Sequence, residues 1–416
     1  MKSVRGRERK VIMQLKDVKL SAEQIKELTN KYMIETYERF PFVVVKAKDM
    51  YLYSENGDAY LDFYGGIAVN ATGNCNPRII DTIKAQVEEV MHVFNYPYSI
   101  PQAVLAELLC NAIGMDKVYY QSTGTEANEA MIKLARKYGT DKYGPEKYHI
   151  ITATKSFHGR TYGSLTATGQ PNTVLHKGFE PLLPGFTYAE FNNLKSFEDA
   201  ITENTIAILV EPCQGEGGVI PATKEFMTGL RKLCDEKGLL LLLDEIQTGL
   251  GRSGEIMAYI NYGIKPDAVS LAKAIGGGLP LGALCATAEL AKTFNIGSHG
   301  STYSGSPVCC AAGYAALSDI IDRKLPQNAK EVGAYFAKKL ETLPHVKEVR
   351  ALGLLIGVEF DIPKSADIKH IALDKKLLTT AIGTNVIRMV PPLIASKEDC
   401  DKAYDILKEA VLEAAK

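Results

Sequence analysis

The sequence predicts an α/β fold with a mainly parallel sheet, accompanied by a smaller domain. From about Pro101 to Thr302, short apolar segments alternate with amphipathic segments, which is typical of parallel strands joined by helices. The clearest unit runs from a strand at 205–210 through a helix at 224–237 to the leucine run at 239–243. A length of 416 residues exceeds what one ordinary core needs, so a large and a small domain are expected.

The N-terminal region predicts one part of the smaller domain. The basic residues 1–17 are expected to form a mobile tail. Residues 18–40 are predicted to be a helix capped by Ser21, because apolar residues recur on one face. Two strands follow and are predicted to meet at a tight turn, Asn56-Gly57.

The C-terminal region predicts the other part of the smaller domain. After Pro307 the pattern indicates a helix, strands at 353–360 and 386–390, and a closing helix at 397–415. We expect this α/β unit to pack with the N-terminal sheet. The predicted limits are 18–68 and 307–416 for the small domain, and 69–306 for the large domain.

Composition and charge argue against several classes of function. The longest apolar run, near Leu239, is too short to cross a bilayer. A net charge of −1 provides no general attraction for nucleic acid or an anionic membrane. The eight cysteines include no Cys-x-x-Cys pair, which indicates reduced thiols and a cytoplasmic protein. No metal site is predicted.

Polar residues at the ends of three predicted strands indicate where the chemistry lies. Glu211, Asp244 and Lys273 each follow an apolar segment, and a glycine run, 276–278, follows the lysine closely. Ligands of open α/β sheets bind beyond the carboxyl ends of the strands, so we expect these three side chains to converge. A lysine that forms an imine and a carboxylate that keeps a pyridine nitrogen protonated together indicate pyridoxal phosphate chemistry.

Residues that follow Asp244 are candidate contacts to the same cofactor. We expect Gln247 to donate a hydrogen bond to the hydroxyl of the cofactor ring and Ile246 to pack on the ring face. Glu245 is also expected to bind the cofactor. The alternatives are a helix cap or a surface acid for Asp244, and an ordinary surface position for Lys273. The buried strand before each residue disfavours these alternatives.

A candidate phosphate site lies where a strand turns into a helix. Ser122, Gly124 and Thr125 begin a predicted helix, whose free backbone N–H groups bind anions. Gly124 permits a close approach of the backbone to a ligand. An ordinary serine or threonine helix cap is the alternative.

Four further segments supply candidate side chains, each with a plain structural alternative. Phe157 is expected to stack on the cofactor or to belong to the core, and Arg160 to bind a substrate carboxylate or to lie on the surface. His158 is given no role. Glu216 follows a strand and Arg388 lies inside an apolar one, so we hypothesise that they pair. The loop with Ser301 and Thr302 is either a connection or a source of hydroxyls for the phosphate.

Five motifs in this order resemble the class III pyridoxal-phosphate-dependent aminotransferases, above all their acetylornithine and ornithine branch. They are Ser-x-Gly-Thr-Glu-Ala-Asn from residue 122, Ser-Phe-His-Gly-Arg-Thr from 156, Glu-Pro-x-Gln-Gly-Glu-Gly-Gly from 211, Asp-Glu-Ile-Gln-Thr-Gly from 244 and Ala-Lys-Ala-Ile-Gly-Gly-Gly from 272. The resemblance implies a fold type I enzyme that binds pyridoxal 5'-phosphate and forms a homodimer with shared active sites.

The resemblance also implies a role for each candidate residue. Lys273 would bind the cofactor covalently, Asp244 its pyridine nitrogen and Gln247 its ring hydroxyl. Further implied contacts are Gly124, Thr125 and the partner's Thr302 to the phosphate, Phe157 to the ring, and Arg160 with Ser301 to the substrate carboxylate. Glu216 would pair with Arg388 while the amino donor is bound, and would release it for the dicarboxylic acceptor.

The substrates implied are N-acetylornithine, in arginine biosynthesis, as amino donor and 2-oxoglutarate as acceptor. Ornithine, 4-aminobutyrate and a β-amino acyl thioester stay open as donors, because the segments 73–77 and 94–98 depart from the usual acetylornithine pattern. An aminomutase or racemase on the same fold, or a non-catalytic binding protein, are the alternatives from other classes.

Overall fold

The N-terminal helix is shorter than its sequence pattern predicts. The computed structural model describes residues 18–416, so the predicted tail at 1–17 lies outside the described residues. The first helix begins after Ser21, which forms a capping box with Gln24, and it ends at Tyr32. Residues 33–40 are not helical, so the prediction of a helix to residue 40 is wrong. No residue of this helix is buried, and therefore no packed face extends it.

The N-terminal strands form the predicted hairpin. The turn holds Gly57 at a φ of 84°, a conformation that glycine adopts freely. The elements up to residue 113 are α1 (Ala22–Tyr32), β1 (Val44–Lys48), β2 (Tyr51–Ser54), β3 (Ala59–Asp62), α2 (Gly65–Ala68), α3 (Pro77–Glu89) and α4 (Ile100–Ile113).

Alternating strands and helices follow, as the sequence predicts. The strands are β4 (Lys117–Gln121), β5 (His149–Ala153), β6 (Phe186–Ala189), β7 (Thr205–Val210), β8 (Cys213–Gln214), β9 (Ile220–Pro221), β10 (Leu240–Asp244), β11 (Ala268–Leu271) and β12 (Gly282–Ala286). The helices are α5 (Gly124–Tyr143), α6 (Tyr162–Ala167), α7 (Leu194–Asp199), α8 (Lys224–Lys237), α9 (Ala258–Tyr262) and α10 (Ala288–Ala291), with a short 3₁₀ helix at Lys273–Gly276.

Seven of these strands form one large sheet in the order β4-β12-β11-β10-β7-β5-β6. All are parallel except β12, which runs antiparallel to both of its neighbours. Leu241 and Leu243 pack into the core on one face of the sheet, whereas Leu240 and Leu242 pack into the core on the other. Helices cover both faces, which explains why the whole run is apolar.

The C-terminal region contains more elements than the sequence pattern predicts. Its helices are α11 (Pro307–Asp322), α12 (Leu325–Leu340), α13 (Ser365–Asp374) and α14 (Lys397–Ala414). Its strands are β13 (Val346–Leu352), β14 (Leu355–Phe360), β15 (Leu377–Leu378), β16 (Thr380–Ile382) and β17 (Val386–Met389). The strands expected near 353–360 and 386–390 are β14 and β17, and the closing helix is α14.

Both ends of the chain build the smaller part of the fold. Strand β15 pairs in parallel with β3, so a C-terminal strand completes the N-terminal sheet β1-β2-β3-β15. A second antiparallel sheet has the order β13-β14-β17-β16. The limits 18–68, 69–306 and 307–416 stay a prediction. Between residues 18 and 416, no helix has the length and apolar character that a membrane crossing needs.

Candidate active site

A cavity of about 470 Å³ lies at the carboxyl ends of the parallel strands. Glu211 follows β7, Asp244 ends β10 and Lys273 follows β11, and all three side chains line this cavity. The strands β7, β10 and β11 are neighbours in the sheet, so their ends bring the three residues together. The cavity therefore combines an amine with two buried carboxyl groups.

Lys273 lies at a backbone position that is unusual for a lysine. Its φ is 53°, in the left-handed region, and one residue separates it from the end of β11. Such strained positions are retained where the surrounding structure requires them, often at functional sites. Burial lowers the pKa of the Lys273 ammonium, although the charge of Glu216 opposes this effect. A lowered pKa increases the fraction of the neutral, nucleophilic amine.

Asp244 is held in one orientation by three donors. Its Oδ2 accepts hydrogen bonds from Asn128 Nδ2 and His158 Nδ1, each at 2.8 Å, and its Oδ1 accepts one from the backbone N–H of Ile246 at 3.0 Å. The hydrogen bond from Nδ1 assigns the proton of His158 to that nitrogen. The Asp244 side chain is almost fully buried and faces the cavity.

Sequence reasoning missed both side-chain partners of Asp244. His158 was given no role, yet its ring is buried against the carboxylate. Asn128 lies four residues after Gly124 and therefore on the same side of α5. A polar residue among the buried positions of that helix is the signal that would have identified it.

The first turn of α5 forms the anion-binding end of the cavity. The backbone N–H groups of Gly124 and Thr125 belong to this turn, where donors have no partner within the helix. A Cβ atom on Gly124 would lie 2.8 Å from Ile246 Cδ1, so the turn packs closely on the residue after Asp244. The Thr125 hydroxyl accepts hydrogen bonds from the N–H groups of Arg160 and Thr161. The backbone of Thr125, more than its hydroxyl, is therefore available to a phosphate.

Phe157 and Arg160 line the same cavity. The Arg160 guanidinium lies 5.6 Å from the centroid of the Phe157 ring, and its side chain is exposed at the rim. The N–H of Phe157 donates to Glu211 at 3.2 Å. Burial and the nearby charge of Asp244 raise the pKa of Glu211 well above its ordinary value.

The hypothesised ion pair between Glu216 and Arg388 is present in the structure. Arg388 lies on β17 with 2% of its surface exposed, and Glu216 lines the cavity. Although burial by itself raises it, the pKa of Glu216 lies below its ordinary value because the charge of Arg388 and a hydrogen bond to it outweigh burial. Glu216 therefore neutralises an arginine that would otherwise be buried alone.

Four residues of the predicted site do not line this cavity. Arg388 does not line it directly but pairs with Glu216, which does. Glu245 accepts hydrogen bonds from the N–H groups of Ala258 and Tyr259 at 2.7 and 2.8 Å, so its carboxylate holds the first turn of α9. Ser301 and Thr302 line a separate surface cavity together with Tyr96 and Tyr98.

The cavity residues fit pyridoxal 5'-phosphate. The first turn of α5 suits the phosphate, the Asp244 carboxylate suits a protonated pyridine nitrogen, and the Lys273 amine suits the aldehyde. Ile246 supplies an apolar surface, and the buried Oε1 of Gln247 has no hydrogen-bond partner among residues 18–416. The volume is also in the range that binds small ligands. Over the same residues, no cluster of His, Cys, Asp and Glu side chains has a metal-binding arrangement.

Comparison with known sequences identifies related proteins over nearly the whole chain. A family described as aminotransferase class-III matches residues 32–411. An acetylornithine aminotransferase of Caldanaerobacter subterraneus is 44% identical over 387 residues, which are 92% of this chain and 98% of that protein. The acetylornithine aminotransferases of Methanocaldococcus jannaschii and Aquifex aeolicus are 42% and 45% identical, covering 95% and 91% of this chain and 100% and 99% of their own lengths.

Solved structures of related enzymes have the same fold. The ornithine aminotransferase of Toxoplasma gondii superposes with a TM-score of 0.91 at 29% identity, over 96% of this chain and 97% of its own. The acetylornithine aminotransferase of Elizabethkingia anophelis has a TM-score of 0.84 at 27% identity, over 95% of this chain and all of its own. The predicted fold type and the predicted resemblance are both confirmed.

Proposed function

Since the chain belongs to the class-III aminotransferase family, we propose that it moves the terminal amino group of N-acetylornithine to 2-oxoglutarate, giving an aldehyde and glutamate. The observation that supports N-acetylornithine as the donor is a sequence identity of 42–45% with several acetylornithine aminotransferases, over more than nine tenths of the chain. The enzyme is a pyridoxal-phosphate-dependent transaminase, and the proposed reaction belongs to arginine biosynthesis.

The cofactor, when bound, supplies an electron sink that makes a proton on the donor carbon acidic. Lys273 would hold the cofactor through its aldehyde group, and the neutral amine of Lys273 would serve as the base that takes the proton from the donor carbon. The lowered pKa of Lys273 favours the neutral amine that this step requires. Burial of the amine also keeps solvent from competing for the proton.

Asp244 keeps a proton on the pyridine nitrogen. Asn128 and His158 orient its carboxylate, since both donate to the same oxygen. The backbone N–H groups of Gly124 and Thr125 bind the phosphate and set the position of the ring, and Phe157 and Ile246 exclude water around it. We assign Gln247, whose amide faces the cavity, to the ring hydroxyl.

Two arginines recognise the substrates. Arg160, exposed at the cavity rim, binds the α-carboxylate of the donor, which lies far from the reacting carbon, and the distal carboxylate of 2-oxoglutarate. Arg388 binds the acceptor carboxylate beside the keto carbon after Glu216 releases it, whereas the donor has no carboxylate beside its reacting carbon and leaves the ion pair closed. A pair that opens and closes is useful only when donor and acceptor differ, which favours transamination over an aminomutase or racemase.

A second copy of the chain is proposed to complete the site. Large apolar side chains near Ser301 and Thr302 are highly exposed, and the exposed fraction is 92% for Tyr96 and 81% for Ile100. An exposed apolar surface of this kind is typical of a protein–protein interface. A homodimer would cover this surface and bring Ser301 and Thr302 of the partner subunit to the phosphate end of the cavity. We also propose a cytoplasmic location, because all eight cysteines are free thiols.

Ornithine is the second candidate donor. The structural match to an ornithine aminotransferase favours it, as does the aromatic segment at 94–98, which departs from the acetylornithine pattern. The two donors differ at the α-nitrogen, which is acetylated and neutral in one and charged in the other. A single experiment separates them.

The test is spectral and uses single donors. The cofactor-loaded enzyme is mixed with N-acetylornithine in the absence of a keto acid, and the visible band of the lysine-bound cofactor is followed. We expect rapid loss of the band and its recovery on addition of 2-oxoglutarate. Loss with ornithine alone would assign the enzyme to ornithine, and no loss with any donor would overturn the proposed transamination. Lys273→Ala serves as the control without a half-reaction.

A further inference from the structure

A row of three residues crosses the antiparallel sheet beside the active site. Arg350 on β13 is paired with Gly357 on β14, and Gly357 is paired with Arg388 on β17. Directly opposed residues of neighbouring strands project from the same face. The two arginines therefore flank a glycine on one face of the sheet, with backbones about 10 Å apart.

The loop that carries Glu216 crosses this glycine. A Cβ atom at Gly357 would lie 2.8 Å from Val219 Cβ and 3.1 Å from the carbonyl oxygen of Gly218, so only glycine admits the loop at this distance. Val219 is fully buried and has a φ of 53°, a strained position for a β-branched residue. The loop is thus pressed against the sheet between the two arginines.

Arg350 holds the loop at the end opposite to the Glu216–Arg388 pair. Its Nε donates to the carbonyl oxygen of Val219 at 3.1 Å, and its Nη2 donates to that of Gly218 at 3.0 Å. Its Nη1 bonds to Glu359 at 2.6 Å and also to Glu348, and the side chain is only 13% exposed. These carboxylates fix the guanidinium, which in turn fixes two consecutive carbonyl groups.

This arrangement leaves a short free segment. We call the hydrogen bonds from Arg350 to the carbonyl groups of Gly218 and Val219 the clamp. Only Gly217 separates Glu216 from the first of these carbonyl groups. The clamp therefore keeps the Glu216 carboxylate close to Arg388 even when the ion pair is open. A short tether raises the effective concentration of one group near another. The clamp therefore favours reclosure of the pair over displacement of the whole loop.

We propose that Arg350 is a positioning residue that sets how readily Arg388 becomes free, and so determines specificity between the amino donor and the dicarboxylic acceptor. The proposal rests on the proposed function, because it concerns the same substrate arginine. Glu216 and a dicarboxylate compete for Arg388. Loss of the clamp weakens Glu216 as a competitor, and a five-carbon dicarboxylate then binds more tightly.

The test is the dissociation constant of glutarate, a five-carbon dicarboxylate without a keto group, measured by calorimetry on the cofactor-loaded enzyme. We expect Arg350→Met to tighten glutarate binding about tenfold, as for loss of hydrogen bonds from a charged group. Glu216→Ala is expected to tighten binding at least as much. Arg350→Met in the Glu216→Ala background should then add less than about twofold, because residues that act through one pair are not additive.

Two further variants keep the result interpretable. Glu348→Gln removes the more exposed carboxylate partner of Arg350 without touching the loop, and we expect glutarate affinity within about twofold of the parent. Arg350→Lys keeps one charged donor and replaces Arg350→Met if that variant does not fold, with an expected tightening of about threefold.

The outcomes separate this proposal from the proposed function. Unchanged glutarate binding in the Arg350 variants, or equal tightening with and without Glu216, would overturn the clamp even if transamination is normal. Glutarate binding requires no turnover. If the Arg350 variants bind glutarate more tightly as expected but the parent enzyme transaminates no donor, the proposed function alone would be overturned.

Discussion

The hydrogen bond from His158 to Asp244 offers a direct test of how the cavity works. Removing the imidazole by His158→Phe leaves Asp244 Oδ2 with Asn128 as its one remaining side-chain donor. A hydrogen bond to a buried charged group is worth about 1.5–3 kcal/mol, which corresponds to roughly ten- to hundredfold in an equilibrium or rate. We expect kcat to fall, and the dissociation constant of the cofactor to rise, within that range.

The matched control is a buried histidine outside the cavity. His176 is 3% exposed and bonds to the carbonyl oxygen of Leu165 at 2.9 Å, so His176→Phe also removes one imidazole from the interior. We expect both variants to lose thermal stability but His158→Phe alone to lose cofactor affinity, measured by titrating the cofactor-free enzyme with pyridoxal phosphate. Equal affinities and equal kcat values in the two variants would refute the proposed orientation of Asp244.

Three other predictions concern stability, pH and assembly. Glu245→Gln should destabilise the fold by about 2 kcal/mol in chemical unfolding without weakening cofactor binding, since Glu245 serves the N–H groups of Ala258 and Tyr259. Because the pKa of Glu216 is lowered, its ion pair with Arg388 stabilises the fold at pH values above the ordinary pKa of a carboxyl group. This stabilisation is lost as the pH falls through the lowered pKa. The Tm difference between the parent and Glu216→Gln should therefore be constant above about pH 5 and shrink in acid. Tyr98→Glu on the exposed aromatic surface should shift sedimentation from dimer to monomer, and an unchanged dimer would count against that interface.

Some features of the site follow from local sequence. The leucine run predicts a strand that is covered on both faces, and every residue of β10 is buried. Parallel strands bring their carboxyl ends to one edge of a sheet, which is why Glu211, Asp244 and Lys273 could be expected at one cavity before the structure was known. The cap of α1 at Ser21 was likewise predictable, because helix caps depend on residues that are close in sequence.

Other features depend on packing between distant parts of the chain. Alternation along a strand gives successive side chains opposite directions, so Glu245 turns to α9 while Asp244 faces the cavity. The end of α1 at Tyr32 reflects a lack of packing, which periodicity does not reveal.

The sequence by itself determined the type of fold, and it predicted that a lysine and a carboxylate meet at one cavity, because both follow from strand pattern and strand order. Only the tertiary structure decided how those groups are tuned. His158 and Asn128 reach Asp244 across 86 and 116 positions of the chain, and Arg350 reaches Gly218 across 132. Hydrogen bonds need donor and acceptor within about 3 Å, and distances of that kind are set by the packing of whole elements rather than by neighbours along the chain.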